Sequence, residues 1–196
     1  GEERVLRFAD YEGNPFSLDA PMQPRLHGSR LEALWALQNK KPVIVVASAR
    51  ALLRKIASPK SDIARPLVLK QGIDLSERAL GVVSCFEDLA EALVAMGYDN
   101  AGQLDSPGTF CVQGGTLDIF PGNLSYPIRC DFFGDELDEI RRFLPSTGQT
   151  ISSLDEVEIF PVREFRSDIS SIRRAQRHLA KRAATNKEMR ELLERL

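Results

Sequence analysis

The chain has 196 residues, 43% of them hydrophobic, with a formal net charge of −2 and a pI of about 5.8. This balance excludes the global positive field that attracts nucleic acid. The longest apolar run, residues 42–47, is far too short to span a membrane. Three cysteines without metal-binding spacing predict reduced thiols in a cytoplasmic protein.

The first third of the chain predicts part of an α/β layer. A short strand is followed by a helix that we expect Ser29 to cap. The β-branched run at 42–47 then predicts a strand buried on both faces, as in a parallel sheet. Ser48 is expected to cap a second helix. We assign residues 1–65 to this incomplete layer.

The middle of the chain predicts an α+β unit, which we assign to residues 66–160. A helix over 86–96 ends at a C-cap glycine, and two antiparallel hairpins follow. The broken alternation in 136–143 predicts a β-bulge. We assign residues 161–196 to a helical return to the first layer. The helical pattern still runs at the last residue, so we expect a piece of a longer protein.

The first hairpin presents two different faces. Gly114 and Gly115 tolerate positive φ and predict a two-residue turn that sets Cys111 opposite Asp118. With this register one face belongs to the core: Phe110, Val112, Leu117 and Ile119. The other face is predicted to be available to a partner: Thr109, Cys111, Gln113, Thr116, Asp118 and Phe120.

No pattern in the chain predicts catalysis or a cofactor. The phosphate-binding patterns GxxxxGK[ST] and GxGxxG are absent from the sequence. His27 and His178 lack a nucleophilic neighbour in sequence, and we expect both to lie on the solvated surface. The acidic residues in 131–139 lie close to arginines, which predicts a solvated turn with salt bridges rather than a metal site.

A basic segment runs over residues 163–182. It lacks the interleaved aromatic side chains of a nucleic-acid site, and a solvated amphipathic helix is the favoured interpretation. The alternative is contact with the DNA backbone or with an acidic partner. The residues that would make this contact are Arg173, Arg174, Arg177 and Lys181.

A long ordered pattern resembles the UvrA-binding module shared by UvrB and the bacterial transcription-repair coupling factor, Mfd. The pattern is GTFCVQGGTLDIFP at 108–121, followed by YPIRCDFFGDELDEIRRFLPSTGQTI at 126–151. Further stretches, such as IFPVREF at 159–165, resemble the N-terminal UvrB-homology region of the coupling factor. The fold implied is a truncated, UvrB/helicase-like α/β layer with an inserted α+β module containing antiparallel hairpins.

The resemblance implies a non-catalytic fragment that recruits UvrA to stalled RNA polymerase in transcription-coupled nucleotide excision repair. ATP and magnesium would bind only in downstream motor domains, and RNA polymerase and DNA would contact other domains absent from this chain. The implied location is the bacterial cytoplasm. The alternative function is that of a DNA-binding or ATP-dependent helicase fragment with residual nucleic-acid contact.

The chain departs from the family pattern at the docking face. Asp99 and Gln113 stand where family members carry arginines, and Cys111 replaces a further arginine of UvrB. Neither aspartate nor glutamine can supply a charge-assisted bidentate contact to a carboxylate. The departure predicts a changed partner surface, weaker docking or loss of UvrA binding, and the sequence does not choose among these.

Overall fold

The computed structural model describes residues 4–11, 23–56, 58, 61–77, 83–165, 173–178 and 180. It contains both helices and strands, and most strand pairs are antiparallel, in agreement with the predicted mixture of α and β structure. In chain order the elements are β1 (Arg4–Phe8), α1 (Pro24–Gln38), β2 (Val43–Ala47), α2 (Ala49–Leu52), β3 (Leu67–Lys70), α3 (Phe86–Ala95), β4 (Asp99–Asn100), β5 (Thr109–Gln113), β6 (Thr116–Ile119), β7 (Ile128–Phe133), β8 (Glu136–Phe143), β9 (Thr150–Leu154) and β10 (Glu156–Ile159).

The chain divides into two units, Gly1–Glu164 and Phe165–Leu196. All the elements named above belong to the first unit. In the second unit, residues 173–178 are helical.

β1 and β2 form a two-stranded parallel sheet. One side of the pair packs with α1 around a small core: Leu6, Phe8, Leu31, Ala33, Leu34, Ala36, Ala51, Ala64 and Phe160. On the other side Val5, Ile44 and Val46 are 62%, 47% and 57% exposed. The prediction of a strand buried on both faces is therefore wrong, because within the described residues the packing covers one side of β2.

α1 begins at Pro24, ahead of the predicted start at Ser29. Proline suits the first turn of a helix, where its missing N–H would have no partner anyway. Gly28 lies inside this helix, and a Cβ there would come within 2.7 Å of the backbone of Gly122 and Asn123. The glycine thus allows α1 to approach the loop after β6 closely.

The second helix is capped as predicted but is shorter than the predicted range, 49–56. The Ser48 Oγ accepts a hydrogen bond from the Ala51 N–H at 3.1 Å, and the helix ends at Leu52. The predicted C-cap of α3 is confirmed as well, since Gly97 follows the helix with a φ of +94°. Only glycine adopts this backbone conformation without strain.

The larger sheet has six strands in the order β4-β5-β6-β7-β8-β9. β4 and β5 are parallel, and the remaining neighbours are antiparallel. One face of this sheet, here the inner face, shares the main core with α3 and with the separate β3–β10 pair. Its completely buried members include Leu69, Leu89, Leu93, Phe110, Leu117, Ile119, Ile128, Ile140 and Ile159.

The second hairpin contains the predicted bulge. Asp131 pairs with Glu139 and Phe132 with Leu137, so Asp138 is the extra residue on β8. β9 was not predicted, because its sequence TISSL at Thr150–Leu154 places two serines among few apolar residues. This segment is a strand because it pairs with β8, although its composition does not indicate one.

A buried ion pair joins α1 to the end of the first unit. The side chain of Arg30 is fully buried, and its guanidinium donates hydrogen bonds to Glu164 and, at 2.6 Å, to the carbonyl of Ala9. The same guanidinium lies 4.1 Å from the centre of the Phe8 ring. A buried charge is tolerated when it is paired in this way.

His27 belongs to the same cluster, which corrects its predicted surface position. Only 13% of its side chain is exposed, and its Nδ1 lies 3.7 Å from Glu164. Burial alone would raise the pKa of Glu164, but its contacts with His27 and Arg30 outweigh burial and hold the pKa below its usual value. Burial and the Glu164 charge raise the pKa of Tyr11 to about 12.

Candidate functional site

The predicted register of the first hairpin is confirmed residue by residue. Gln113 pairs with Thr116 and Cys111 with Asp118, around a turn in which Gly114 has a φ of +59°. The core side is confirmed for Phe110, Leu117 and Ile119, all completely buried, while Val112 near the turn is 36% exposed.

The opposite side of the six-stranded sheet is here called the outer face. Residues directly opposite each other on neighbouring strands share a face, so the pairing identifies its members. They are Asp99 on β4; Thr109, Cys111 and Gln113 on β5; Thr116 and Asp118 on β6; Phe120 after β6; Arg129, Asp131 and Phe133 on β7; Glu136, Glu139, Arg141 and Phe143 on β8; and Ser153 on β9.

A polar ladder crosses the middle of the outer face. The Arg129 guanidinium donates two hydrogen bonds to the Asp118 carboxylate, at 2.7 and 2.6 Å. Arg141 pairs with Asp131 and lies 3.4 Å from Glu139. The bidentate pair with Asp118 fixes the geometry of the Arg129 guanidinium. Ion pairs with Asp131 and Glu139 hold the Arg141 guanidinium.

Phe120 corrects the prediction that this whole face is free. It is 6% exposed and forms a separate small cluster with Leu104 and Phe143. The Arg25 guanidinium lies 5.2 Å from the centre of its ring. The loop before β5, which carries Leu104, therefore covers this part of the face, and Cys111 packs half-buried against the cluster.

Asp99 and Gln113 are the most open of the predicted docking residues. Both are exposed, at opposite ends of the predicted set, with Asp99 beside Thr109 and Gln113 beside the hairpin turn. A cleft of about 670 Å³ opens beside Asp99, where Pro24 and Arg25 approach the start of β5. The structure thus brings the seven predicted residues onto one face but leaves them unequally accessible.

Sequence reasoning missed the contribution of the second hairpin to this face. Asp131 and Glu139 were interpreted as part of a solvated turn, and their predicted salt bridges are present, to Arg141. The register of β7 against β6 could have placed Asp131 beside Thr116, whose hydroxyl lies 2.9 Å from its carboxylate. The signal that could have shown this was the alternation of apolar and polar residues along β7, Ile128–Phe133.

The cysteines show no feature of a reactive or metal-binding thiol. Cys85, Cys111 and Cys130 are all free thiols. Burial raises the pKa of Cys130 far above its usual value, which keeps this thiol protonated and unreactive. Among the described residues, no group of histidine, cysteine and carboxylate side chains could hold a metal ion.

The basic segment lies partly outside the described residues. Arg173, Arg174 and Arg177 are exposed on a helical stretch, and the Arg177 Nε lies 3.3 Å from the Arg173 carbonyl. Lys181 lies outside the described part of the chain. Arg163 belongs to the first unit instead, since its side chain packs beside Gly97.

No described helix combines the length and apolarity that crossing a bilayer requires.

The outer face thus combines charges that are paired within the chain with exposed polar residues at its ends. Residues 80–165 match the family model of the UvrB interaction domain, which is a protein-interaction module. The chain carries a UvrB interaction domain and, over most of its length, is homologous to transcription-repair coupling factors and UvrB, as its sequence resemblance indicated.

Three relatives define this homology. The chain is 32% identical over 168 residues to the transcription-repair-coupling factor of Haemophilus influenzae, covering 86% of this chain and 14% of that protein. It is 35% identical over 162 residues to the coupling factor of Myxococcus xanthus, covering 82% and 13%. It is 29% identical over 150 residues to UvrABC system protein B of Chlorobaculum tepidum, covering 76% and 21%. The chain therefore spans about one seventh of the coupling factors that it matches.

Proposed function

We propose that this chain is a non-catalytic docking module of a transcription-repair coupling factor, and that it binds UvrA through the outer face. The observation that carries the proposal is the coincidence of the UvrB interaction domain at 80–165 with the outer face, whose strands all lie within that range. The exposed Asp99 and Gln113 supply polar contacts at its two ends.

The wider role follows from the relatives. UvrA recruitment to stalled RNA polymerase would place the module in transcription-coupled nucleotide excision repair, in the bacterial cytoplasm. RNA polymerase, DNA, ATP and magnesium would bind elsewhere in the longer protein. The parallel β1–β2 pair, with one side open, fits the proposal that residues 1–65 belong to a UvrB-like α/β layer.

The docking is proposed to be weaker than in arginine-bearing relatives, or directed at an altered UvrA surface. Asp99 and Gln113 occupy positions where the resemblance implies arginine. The two arginines of the polar ladder do not replace them, because Arg129 and Arg141 are held by Asp118, Asp131 and Glu139. A guanidinium already held in an ion pair within the chain offers fewer donors to a partner.

The test is a calorimetric titration of the chain into UvrA from the same organism. Saturable one-site binding that weakens as salt is raised is the expected result, because polar and charged groups dominate the accessible parts of the face. Absence of binding at low salt, with a UvrA preparation shown to be folded, would contradict the proposal.

DNA contact by the second unit is the alternative that one observation favours. Arg173 and Arg177 lie one helical turn apart on an exposed helix, next to Arg174. A duplex titration at low salt measures it, with an Arg173→Glu/Arg177→Glu variant as the matched comparison. Binding lost in the variant supports a backbone contact, and a flat isotherm for the unaltered chain excludes it.

A further inference from the structure

One end of the outer face carries a highly exposed aromatic side chain. Phe133, the last residue of β7, is 85% exposed, compared with 61% for Phe165 and 44% for Tyr126. Its neighbour Phe132 is 9% exposed and packs 4.9 Å from the Phe86 ring in the core. Because strand side chains alternate, burial of Phe132 places Phe133 on the outer face.

Glycines leave the Phe133 ring uncovered. The Gly115 carbonyl accepts a hydrogen bond from the Phe132 N–H at 2.8 Å, so the turn of the first hairpin lies beside the end of β7. A Cβ on Gly115 would meet the Phe132 carbonyl at 2.6 Å. Gly134 follows Phe133 with a φ of +62° and open space where a Cβ would lie. No side chain from these positions shields the ring.

Carboxylate residues neighbour Phe133 on the outer face. Glu136 is exposed and pairs directly with Phe133, and Asp131 precedes Phe133 by two residues on the same face. Glu139 pairs with Asp131. Arg141 contacts Asp131 and Glu139, so three carboxylates are balanced here by one guanidinium. This end of the outer face is therefore apolar at its centre and acidic at its rim.

We propose that Phe133 is an aromatic anchor that inserts into an apolar socket of the partner protein, and that lysine or arginine side chains surround this socket. The inference rests on the proposed UvrA docking and adds the chemistry of one end of that interface. Aromatic side chains that fill a pocket and are ringed by polar contacts dominate binding energy at many interfaces. The acidic rim would orient the approach of a basic surface and exclude an acidic one.

Isolated exposed hydrophobic residues are common on proteins, so the position of Phe133 matters to the argument. It shares the outer face with Gln113 and lies at the same end as the hairpin turn. Tyr126 lies in the loop between β6 and β7, at the opposite end of the sheet. Tyr126 is thus a matched exposed aromatic on the same unit, away from the acidic rim.

The test compares dissociation constants of variants of the 196-residue chain for UvrA from the same organism. Phe133→Ala is expected to weaken binding at least about tenfold, with an unchanged thermal unfolding midpoint because the ring is exposed. Phe133→Leu keeps an apolar side chain, so its dissociation constant is expected to lie between those of the unaltered chain and Phe133→Ala. Tyr126→Ala is expected to bind like the unaltered chain.

A charge reversal tests the basic socket separately. Glu136→Lys is expected to weaken binding and to reduce its salt dependence, since a favourable pair is replaced by repulsion. Unchanged affinity of Phe133→Ala would overturn the anchor, and tighter binding of Glu136→Lys would overturn the basic surroundings of the socket. Failure of the unaltered chain to bind would instead contradict the docking function, and the inference with it.

Discussion

Arg30 and Glu164 lie 134 residues apart in the chain and form an ion pair whose guanidinium is fully buried. The pair joins the helix that packs under β1 to the segment that follows β10. Gly28, two residues earlier, brings the same helix against the loop after β6. Within the first unit, these contacts connect the small parallel pair to the part that carries the outer face.

Glu164→Gln is expected to destabilise the chain by about 3 kcal/mol, because it leaves the buried Arg30 charge without its counterion. Urea unfolding followed by circular dichroism measures the change. The matched control is Glu158→Gln, which removes the more exposed pair with Lys41 and should cost less than about 1 kcal/mol. Equal losses in the two variants would contradict the importance of burial.

The same ion pair predicts a loss of stability in acid. The pKa of Glu164 is held below its reference value of 4.5. Its contribution is therefore fully present above that value and is lost as the pH falls through the lower pKa of the folded state. The difference in unfolding free energy between the unaltered chain and Glu164→Gln should shrink below pH 4.5. A constant difference down to the acid transition would rule out this linkage.

Gly28→Ala is expected to cost about 1–3 kcal/mol, because the added Cβ meets backbone atoms that cannot rotate away. The alanine raises helix propensity, so a purely local view predicts the opposite sign. Gly102→Ala is the matched control, since nothing lies within 4 Å of the Cβ it would gain. Thermal unfolding distinguishes them, and a stabilised Gly28→Ala would show that α1 packs less closely.

Asp99→Arg is expected to tighten UvrA binding by about tenfold, because a guanidinium can make a charge-assisted contact worth about 1.5–3 kcal/mol. The same charge change at the exposed Asp155, between β9 and β10, serves as the control. UvrA affinity measured by calorimetry should rise for Asp99→Arg and stay unchanged for Asp155→Arg. A similar gain from Asp155→Arg would indicate general attraction instead of a contact at β4.

The sequence predicted the hairpin best, since its register depends on neighbouring residues. Gly114 and Gly115 define the turn, and the alternation around them then sets every pair from Phe110 to Ile119. Accessibility depended on distant segments and could not be predicted in this way. Phe120 is covered by the loop that carries Leu104. In the described part of the chain, β2 is open on one side because α1 packs against the other side only.

For the helices, too, features that depend on neighbouring residues were predicted, and features that depend on distant residues were not. Ser48 was correctly predicted as a cap because its hydroxyl acts within one turn. The predicted cap Ser29 would leave Gly28 outside the helix, but Gly28 lies inside α1 and makes a close contact with Gly122, far along the chain. His27 was placed at the surface for a similar reason, because its neighbour Glu164 is distant in sequence.

The central claim is that the outer face docks UvrA, and one pair of matched variants tests it most directly. Gln113→Trp adds bulk at an exposed position on the outer face, and Glu91→Trp adds the same bulk on α3, which packs against the inner face. With unfolding midpoints equal to that of the unaltered chain, Gln113→Trp should lose UvrA binding at least about tenfold while Glu91→Trp retains it. Retained binding by Gln113→Trp, or equal loss in both, would contradict docking through this face.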